Sequence, residues 1–322
     1  MRIHAFLARC IVALCALHGA LALARDSCPP AAPQAGSLNA AQLQADVRDR
    51  GFLWRLERDG RSSWLYGTVH ASRMEWMIPG PRIQAALAGS EVVALELDPG
   101  DPELARVFQA AADPPRLERV AGHLRPRMER LARTACVPGE QLARMPAMLQ
   151  LAMLSLADAR RQGFHPEFAV DAVLWGLAQR HGKKIVALET AAAQLAALTP
   201  ATEADERAMV EQGVGDLEAG EGGPLVVRLL QAWAQGDEAT LASYPQWCRC
   251  MDSPAEQRFL QQVNDARNEQ MARRLVALHA DGQRFFAAVG ALHMTGPKAL
   301  QLLLRAEGFE VRRIPFPSSP RP

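Results

Sequence analysis

Two histidines and two glutamates stand where apolar segments of this chain end, and their local patterns repeat. Residues Gly67–His70 and Gly290–His293 are two copies of a Gly-x-x-His motif, each placed directly after an apolar segment. Residues Val93–Glu96 and Val186–Glu189 are two copies of an apolar segment that closes on glutamate. Ligands of open α/β sheets bind at the carboxyl ends of the strands. We therefore expect these four side chains to converge on one crevice.

The side chains in these motifs match the ligands of a divalent metal. Two neutral imidazoles and a carboxylate hold such an ion while leaving positions open for water and substrate. We interpret His70 and His293 as ligands and Glu96 as a third ligand or a general base. Glu96 continues a segment with a buried pattern, and a buried carboxylate needs a metal or a cationic partner. The alternatives are turn or core positions for the histidines and a helix start at Glu189.

The elements that carry these motifs predict an α/β protein. A hairpin is expected around Asp59-Gly60, and strands are expected at residues 91–97, 184–188, 284–290 and 310–314. Mostly helical regions at 102–181 and 203–281 separate the strands, which favours a central mixed, largely parallel sheet with long helical insertions. The motif order reverses between the halves of the chain, which suggests two pseudo-equivalent halves.

Single helices and residues are also predicted. Helices are expected from Leu142 to Ala159, from Pro166 to Arg180 and from Thr295 to Ala306. Trp233 is expected to pack in the core. The remaining histidines of the helical regions are interpreted as surface or capping residues: His123, His165, His181 and His279.

The N-terminus has the pattern of a secretory signal. Basic residues precede the apolar stretch Cys10–Leu23, and Ala22-Leu23-Ala24 is a small-x-small cleavage pattern. We predict a signal peptide at residues 1–24, a flexible tether at 25–40 and one domain at 41–318. The chain is then periplasmic or secreted, with no stable membrane insertion after cleavage. An uncleaved anchor is the alternative.

Charge and cysteine content limit the partners further. The chain has 36 basic and 35 acidic residues, a net charge of +1, which gives no electrostatic case for nucleic acid. Signal cleavage leaves Cys28, Cys136, Cys248 and Cys250, and export favours two disulfides. A Cys248–Cys250 bridge would close a very short ring, so we expect Cys28 and Cys136 each to pair with one of those two. A Cys-x-Cys metal site is the competing interpretation.

The order of these motifs resembles the TraB/GumN family over residues 50–315. The resemblance is carried by Tyr66–His70, Val93–Asp98, Lys183–Thr190, Arg267-Asn268 and Val289–Gly296. That family is similar to the Tiki metalloproteases, which have the same pair of Gly-x-x-His motifs with an acidic residue between them. It also groups with erythromycin-esterase-like and haem-binding folds, so the resemblance implies an EreA/ChaN-like sheet but leaves the reaction open.

The resemblance implies an exported, metal-dependent, peptidase-like hydrolase. Manganese or cobalt is the expected metal, with zinc as a further candidate, and the substrate is a peptide or another small molecule. His70, Glu96 and His293 match the motif positions. Glu189 or Asp171 would take the other acidic role, or Asp171 would orient a histidine. Arg267 would stabilise an oxyanion or be salt-bridged within a helix.

Two other functions fit the same resemblance. One is a non-catalytic periplasmic binding protein for a peptide or haem-like ligand. The other is an accessory protein for envelope polysaccharide or conjugation. The oligomeric state is not predicted.

Overall fold

A computed structural model describes residues 28–34 and 40–316 of the chain. The signal peptide predicted for residues 1–24 lies outside these residues, as does part of the tether predicted for 25–40. Within the described part of the chain, no helix is both long enough and apolar enough to cross a membrane.

Six strands form one sheet in the order β4-β3-β5-β2-β1-β6. Strands β1 and β2 form the expected hairpin, in which Arg58 pairs with Arg61. Asp59 and Gly60 both have positive φ, at 51° and 70°, as a two-residue hairpin turn of right-handed twist requires. The strands are β1 Phe52–Arg58, β2 Arg61–Thr68, β3 Val92–Leu95, β4 Lys184–Ala187, β5 Phe285–Gly290 and β6 Glu310–Ile314.

Four neighbouring strands of the sheet, β4, β3, β5 and β2, run parallel. The predicted α/β class with a mixed, largely parallel sheet is confirmed. Strands β3 and β5 are apolar and almost fully buried, because helices cover both faces of the sheet. The carboxyl ends of the four parallel strands therefore lie along one edge of the sheet. Beyond β2, strands β1 and β6 complete the sheet and run antiparallel to each other.

Helices fill the connections between the strands. Helices before and after β4 also form a small core of their own, around Val120, Leu124 and Val210. The α-helices are Ala40–Ala45, Pro81–Ala88, Pro102–Gln109, Pro114–Ala121, Arg125–Ala135, Gly139–Ala143, Ala147–Ala159, Val170–Arg180, Ala191–Ala197, Glu203–Glu218, Gly222–Gln235, Glu238–Ala242, Tyr244–Trp247, Pro254–Leu260, Ala266–Ala280 and Leu300–Ala306. Short 3₁₀ turns and a π turn connect several of them: Met74–Trp76, Gly122–Leu124, Arg160–Gln162, Pro166–Phe168, Gln261–Asp265 and Ala291–Met294.

The helix predicted from Pro166 begins instead at Val170. Pro166–Phe168 forms a 3₁₀ turn, and Ala169 is extended at φ −53° and ψ 131°. The break follows from contacts with the loop after β2, because Val170 N donates to Val69 O at 2.9 Å. This loop carries the first Gly-x-x-His motif, so the contact holds the start of the helix beside His70.

Two other helix predictions are corrected. The helix predicted from Thr295 begins at Leu300, because Gly296 has a φ of 79° and leaves the helical region. The helix predicted from Leu142 is two helices, since Pro146 is extended and caps the second one at Ala147.

The predicted pairing of the cysteines is wrong. Cys28 pairs with Cys136, and Cys248 pairs with Cys250, with Cα–Cα distances of 5.4 Å and 5.1 Å. The short ring is accessible because Arg249 adopts a left-handed conformation, with φ 56°, which turns the chain back on itself between two helices. The left-handed conformation of Arg249 thus allows the Cys248–Cys250 pair, which sequence spacing alone did not predict.

Two histidines expected at the surface are buried. His165 is 3% exposed and His279 is 2% exposed. His165 lies in the segment that pairs with Ser72 of the loop after β2, and His279 contacts Asp59 of the hairpin turn. Each is buried by a long-range contact. Trp233 is buried in the main core, as predicted.

Candidate active site

The carboxyl edge of the parallel strands brings the predicted site residues together. His70 follows β2, Glu96 follows β3, Glu189 follows β4 and His293 follows β5. Glu96 is central because β3 lies between β4 and β5. Its Oε1 atom is 3.8 Å from His293 Nε2, and its carbonyl oxygen accepts the Glu189 N–H at 3.0 Å.

The glycine of the second motif leaves space between these side chains. A Cβ atom built on Gly290 would lie 3.2 Å from Glu96 Oε1, 3.6 Å from His293 Cδ2 and 3.8 Å from His70 Nε2. Gly290 has an ordinary φ of −51°, so the requirement for glycine here is one of space. Its backbone N–H donates to Glu96 Oε1 at 2.6 Å. Two imidazoles and a carboxylate therefore face a common point that no Cβ fills.

Close backbone packing explains the glycine of the first motif. A Cβ atom on Gly67 would lie 3.2 Å from Ala291 Cα, which belongs to the second motif. The two motifs thus touch each other directly across β2 and β5.

Hydrogen bonds of Asn268 determine which nitrogen of His293 is free. The Asn268 amide nitrogen donates to His293 O at 3.1 Å and to Lys298 O at 2.8 Å. Its oxygen must then face His293 Nδ1, which lies 2.6 Å away and has to carry the proton. The Nε2 lone pair of His293 is consequently left free on the side of Glu96. Burial lowers the pKa of His293 to about 4, which keeps the ring neutral.

His70 is more exposed than His293 and has a different partner. Its side chain is 62% exposed, against 7% for His293, and its Nδ1 lies 3.4 Å from Asp171 Oδ2. Burial lowers the pKa of His70, but the hydrogen bond and charge of Asp171 and the charge of Glu96 outweigh it and raise the pKa to about 9. Because most of the ring is exposed, we attribute the upward direction to Asp171. His70 Nε2 faces the space at Gly290, and at neutral pH the raised pKa keeps a proton on it that a bound cation would displace.

Glu96 is ionised and surrounded by donors. Its Oε2 atom accepts from Gln194 Nε2 at 3.0 Å and from Arg267 Nη2. Burial raises the pKa of Glu96, but the charges of Arg267 and His70 and the N–H of Gly290 outweigh it and hold the pKa below its usual range, whereas His293 adds its charge only when it is protonated, below about pH 4. We ascribe the persistent lowering to Arg267, since it is charged at every relevant pH.

Arg267 joins two carboxylates. Its Nε donates to Glu189 Oε1 at 3.0 Å, and its Nη2 donates to Glu189 Oε2 at 2.6 Å and to Glu96. Side-chain exposure is 10% for Arg267 and 1% for Glu189. Of the two roles considered for Arg267 in the sequence, the structure shows the salt-bridged one. A base role for Glu189 and an oxyanion role for Arg267 stay predictions.

Motif spacing gave no role to two of these contacts. Gln194 lies in the first turns of the helix after β4, which places it at the same sheet edge as Glu96. Asn268 adjoins Arg267 in the sequence and is fully buried. The sequence shows Asn268 next to Arg267. It does not show that the Asn268 amide contacts His293, which lies 25 residues away.

A cavity of about 160 Å³ adjoins the cluster, and His70, Glu96, Asp171 and Gln194 form its polar side. In residues 28–34 and 40–316, no three His, Cys, Asp or Glu side chains stand close enough together to form a ready-made metal centre. His70 is the exposed member, so its side chain is the one that can still change position.

The fold and this cluster define an α/β protein with a polar centre at the carboxyl edge of parallel strands. The model of the TraB/PrgY/gumN family matches residues 52–313, which include every site residue named above. The chain therefore belongs to the TraB/PrgY/gumN family, as the motif order predicted. No curated protein and no solved structure matches it.

Proposed function

We propose that this chain is an exported, metal-dependent hydrolase of the peptidase type, with His70, Glu96 and His293 at its centre. The observation that carries the proposal is the pair of Nε2 atoms beside Glu96. Asn268 and Asp171 engage the Nδ1 atoms of His293 and His70, which leaves His70 Nε2 at the space beside Gly290 and His293 Nε2 at 3.8 Å from the ionised Glu96 carboxylate. Partners of this kind orient histidine ligands in metal centres.

The donor set fits a divalent cation in chemical type and charge. At neutral pH the three carboxylates of Glu96, Glu189 and Asp171 face the guanidinium of Arg267 and the protonated ring of His70, which leaves one negative charge; a bound cation would displace the His70 proton and leave two. His293 is fixed by burial, whereas His70 is exposed and free to move toward the ion. Manganese, cobalt or zinc bound by His70, His293 and Glu96 would supply an activated water and polarise a carbonyl group.

The chain's own groups prepare the site for hydrolysis. Arg267 holds Glu96 ionised and pairs with the Glu189 carboxylate at the same time. Asp171 keeps one carboxylate oxygen, Oδ2, on His70, and its other oxygen, Oδ1, is buried without a partner. Asp171 thus orients His70 through Oδ2, and Glu189 and Asp171 stay the candidates for the general base.

Other parts of the proposal rest on the family and on the sequence. The similarity of the motifs to the Tiki metalloproteases supports peptide hydrolysis, and the reversed motif order supports two pseudo-equivalent EreA/ChaN-like halves. The signal pattern of residues 1–24 supports a periplasmic or secreted location.

A non-catalytic peptide-binding protein is the second candidate. It is favoured by the ion pairs of Arg267, which engage two of the three carboxylates near the centre. A haem-like ligand fits less well, because the adjoining cavity of about 160 Å³ is smaller than the roughly 300–1,000 Å³ of drug-sized ligand sites.

Metal content of the mature chain, residues 25–322, tests the proposal. Stripped protein is loaded with manganese, cobalt or zinc and compared with His70→Ala, His293→Ala and the control His181→Ala, whose histidine is exposed and outside the cluster. We expect near-stoichiometric metal and metal-dependent peptide cleavage in the parent and the control. Both should be lost in the two site variants at unchanged thermal unfolding. A parent that takes up no metal under any loading condition would refute the hydrolase and leave the binding protein.

A further inference from the structure

The cavity beside the cluster is too small for the substrate proposed above. Its volume is about 160 Å³, against roughly 300–1,000 Å³ for the sites of drug-sized ligands. Ala288, near the end of β5, lines this cavity and is only 1% exposed. A peptide that reaches the cluster through the cavity must therefore displace part of the cavity wall. The wall element with the fewest ties to the rest of the protein opens at the lowest cost.

The helix Pro102–Gln109 is the least embedded element of this wall. It contributes Leu104 to the cavity, yet none of its eight residues is buried. Leu104, Val107 and Phe108 are half-buried, and the other five residues are exposed. The helix packs against the helix Ala191–Ala197. The two other helices of the wall both contain buried residues, namely Val170, Leu174 and Ala178 in one and Ala191 in the other.

Polar contacts hold this helix together but do not tie it to the rest of the protein. Within the described part of the chain, every hydrogen bond of residues 99–112 has its partner within residues 98–112. The ion pair of Arg106 with Glu103 is equally local, because the two residues are three positions apart on one helix. The segment can therefore move without breaking a long-range hydrogen bond.

Both ends of the segment are anchored. Asp98 Oδ1 accepts from Trp175 Nε1 at 2.9 Å, which fixes the chain directly before the segment. At the other end, Asp113 Oδ1 accepts from Arg116 N at 3.0 Å and caps the next helix. An apolar helix face thus lies over the cavity between two fixed points, which is the arrangement of a hinged cover.

We infer that residues 99–112, with the helix Pro102–Gln109 at their centre, form a lid that opens to admit substrate to the cluster. The inference rests on the proposed function, because a peptide substrate is what requires the opening. Three half-buried apolar side chains hold the lid closed. Its open state is therefore a minor conformation of the free protein, with a population of about 0.1–10%.

A buried cysteine reports the opening without metal or turnover. In the metal-free mature chain, Ala288→Cys places a thiol in the cavity wall, and the four native cysteines are paired. Ala287→Cys is the matched control, because Ala287 is as buried and points to the other face of β5. We expect iodoacetamide to alkylate Ala288→Cys about 10- to 1,000-fold more slowly than a free cysteine, in proportion to the open population. Ala287→Cys should react at least about tenfold more slowly still, because it requires global unfolding.

A second substitution loosens the lid without widening the cavity. Phe108 is half-buried on the lid and does not line the cavity. In the Ala288→Cys background, Phe108→Ala should raise the alkylation rate about threefold to tenfold, since it removes a partly buried aromatic side chain. Phe316→Ala is the control: Phe316 is also half-buried but packs on the main core after β6, so the rate should not change. Thr68→Cys lines the same cavity and replaces Ala288→Cys as the reporter if that variant does not fold.

Equal rates for Ala288→Cys and Ala287→Cys would overturn the lid, since the cavity would then open only with the whole fold. A rate equal to that of a free cysteine would overturn it as well, because the cavity would already be open. A rate that Phe108→Ala leaves unchanged would assign the access to another element. Conversely, the expected rates in a protein that neither binds metal nor cleaves peptides would establish the lid and refute the hydrolase alone.

Discussion

Replacement of Arg267 by methionine leaves two buried carboxylates without their cation. Methionine keeps most of the aliphatic volume, so the loss is mainly one of charge and hydrogen bonds. The side chains of Glu96 and Glu189 are 12% and 1% exposed, and removal of one partner from a buried ion pair costs about 3–5 kcal/mol.

The pKa of Glu96 gives the direction of the pH dependence. The folded-state pKa lies below the 4.5 of the free side chain, so the folded state stabilises the ionised form. Because the folded pKa is the lower one, this stability is present above pH 4.5 and is lost as the pH falls toward 2. We expect Arg267→Met to lower the free energy of unfolding by about 3–5 kcal/mol at pH 7.5.

The difference between parent and variant should shrink on acidification. Without Arg267 the buried carboxylates protonate at a higher pH, and the unfavourable charge disappears. Urea unfolding of metal-free protein in EDTA at pH 7.5 and pH 4 measures both quantities. Arg119→Met is the control, because its pair with Glu203 is 53% and 38% exposed and should contribute under about 1 kcal/mol.

The result that would refute this reasoning is a loss no larger than that of Arg119→Met, or one that does not change with pH. Either outcome would mean that water reaches the carboxylates and replaces the guanidinium. A further variant, Arg267→Met with Glu189→Gln, should recover part of the loss, since it removes one of the unpaired charges.

Three further predictions concern the cluster and the disulfides. Asn268→Leu removes the acceptor of His293 Nδ1 and should weaken metal binding about 10- to 100-fold; an unchanged Kd, or an unchanged tautomer by ¹⁵N NMR, would contradict the hydrogen-bond argument. Gly290→Ala places a methyl group 3.2 Å from a Glu96 oxygen, so metal affinity should fall while the thermal midpoint stays near that of the parent; full affinity would show that the space is not needed. Cys136→Ser opens a link across 108 residues and should cost about 2–5 kcal/mol, measured by urea unfolding, whereas Cys250→Ser should cost less because its link spans 2 residues; equal losses would contradict the pairing.

The strands and the position of the cluster were predictable because they depend on local patterns. Each apolar segment that ends on a polar side chain is a strand, and its carboxyl end lies at the cluster. Long helical connections are compatible with parallel neighbours, so a shared edge for His70, Glu96 and His293 was expected, whereas the strand order that places β3 beside β5 was not given by the sequence patterns. The hairpin turn was equally local, since Asp59-Gly60 determines it.

The partners within the cluster were not predictable from the same patterns. Arg267 lies 171 residues from Glu96 and 78 from Glu189, and nothing in its sequence neighbourhood indicates that it joins the two. The burial of His279 depends likewise on Asp59, 220 residues away. Patterns along the chain indicate which side chains reach an edge, whereas packing between distant helices decides which of them pair.

The two Gly-x-x-His motifs are equivalent in sequence but not in structure. His293 follows a central strand, is 7% exposed and is fixed through the buried Asn268. His70 is 62% exposed and is held only by one contact of 3.4 Å to a half-buried carboxylate. An ion that uses both Nε2 atoms therefore has one preformed ligand and one that must approach. The movement exchanges one solvent-screened contact of His70 and displaces the proton that the raised pKa keeps on its ring, while the buried network around His293 and Glu96 stays intact. Asp171 contacts the exposed His70 and thus affects how readily the centre assembles. Asn268 holds the buried His293 and thus determines where it assembles.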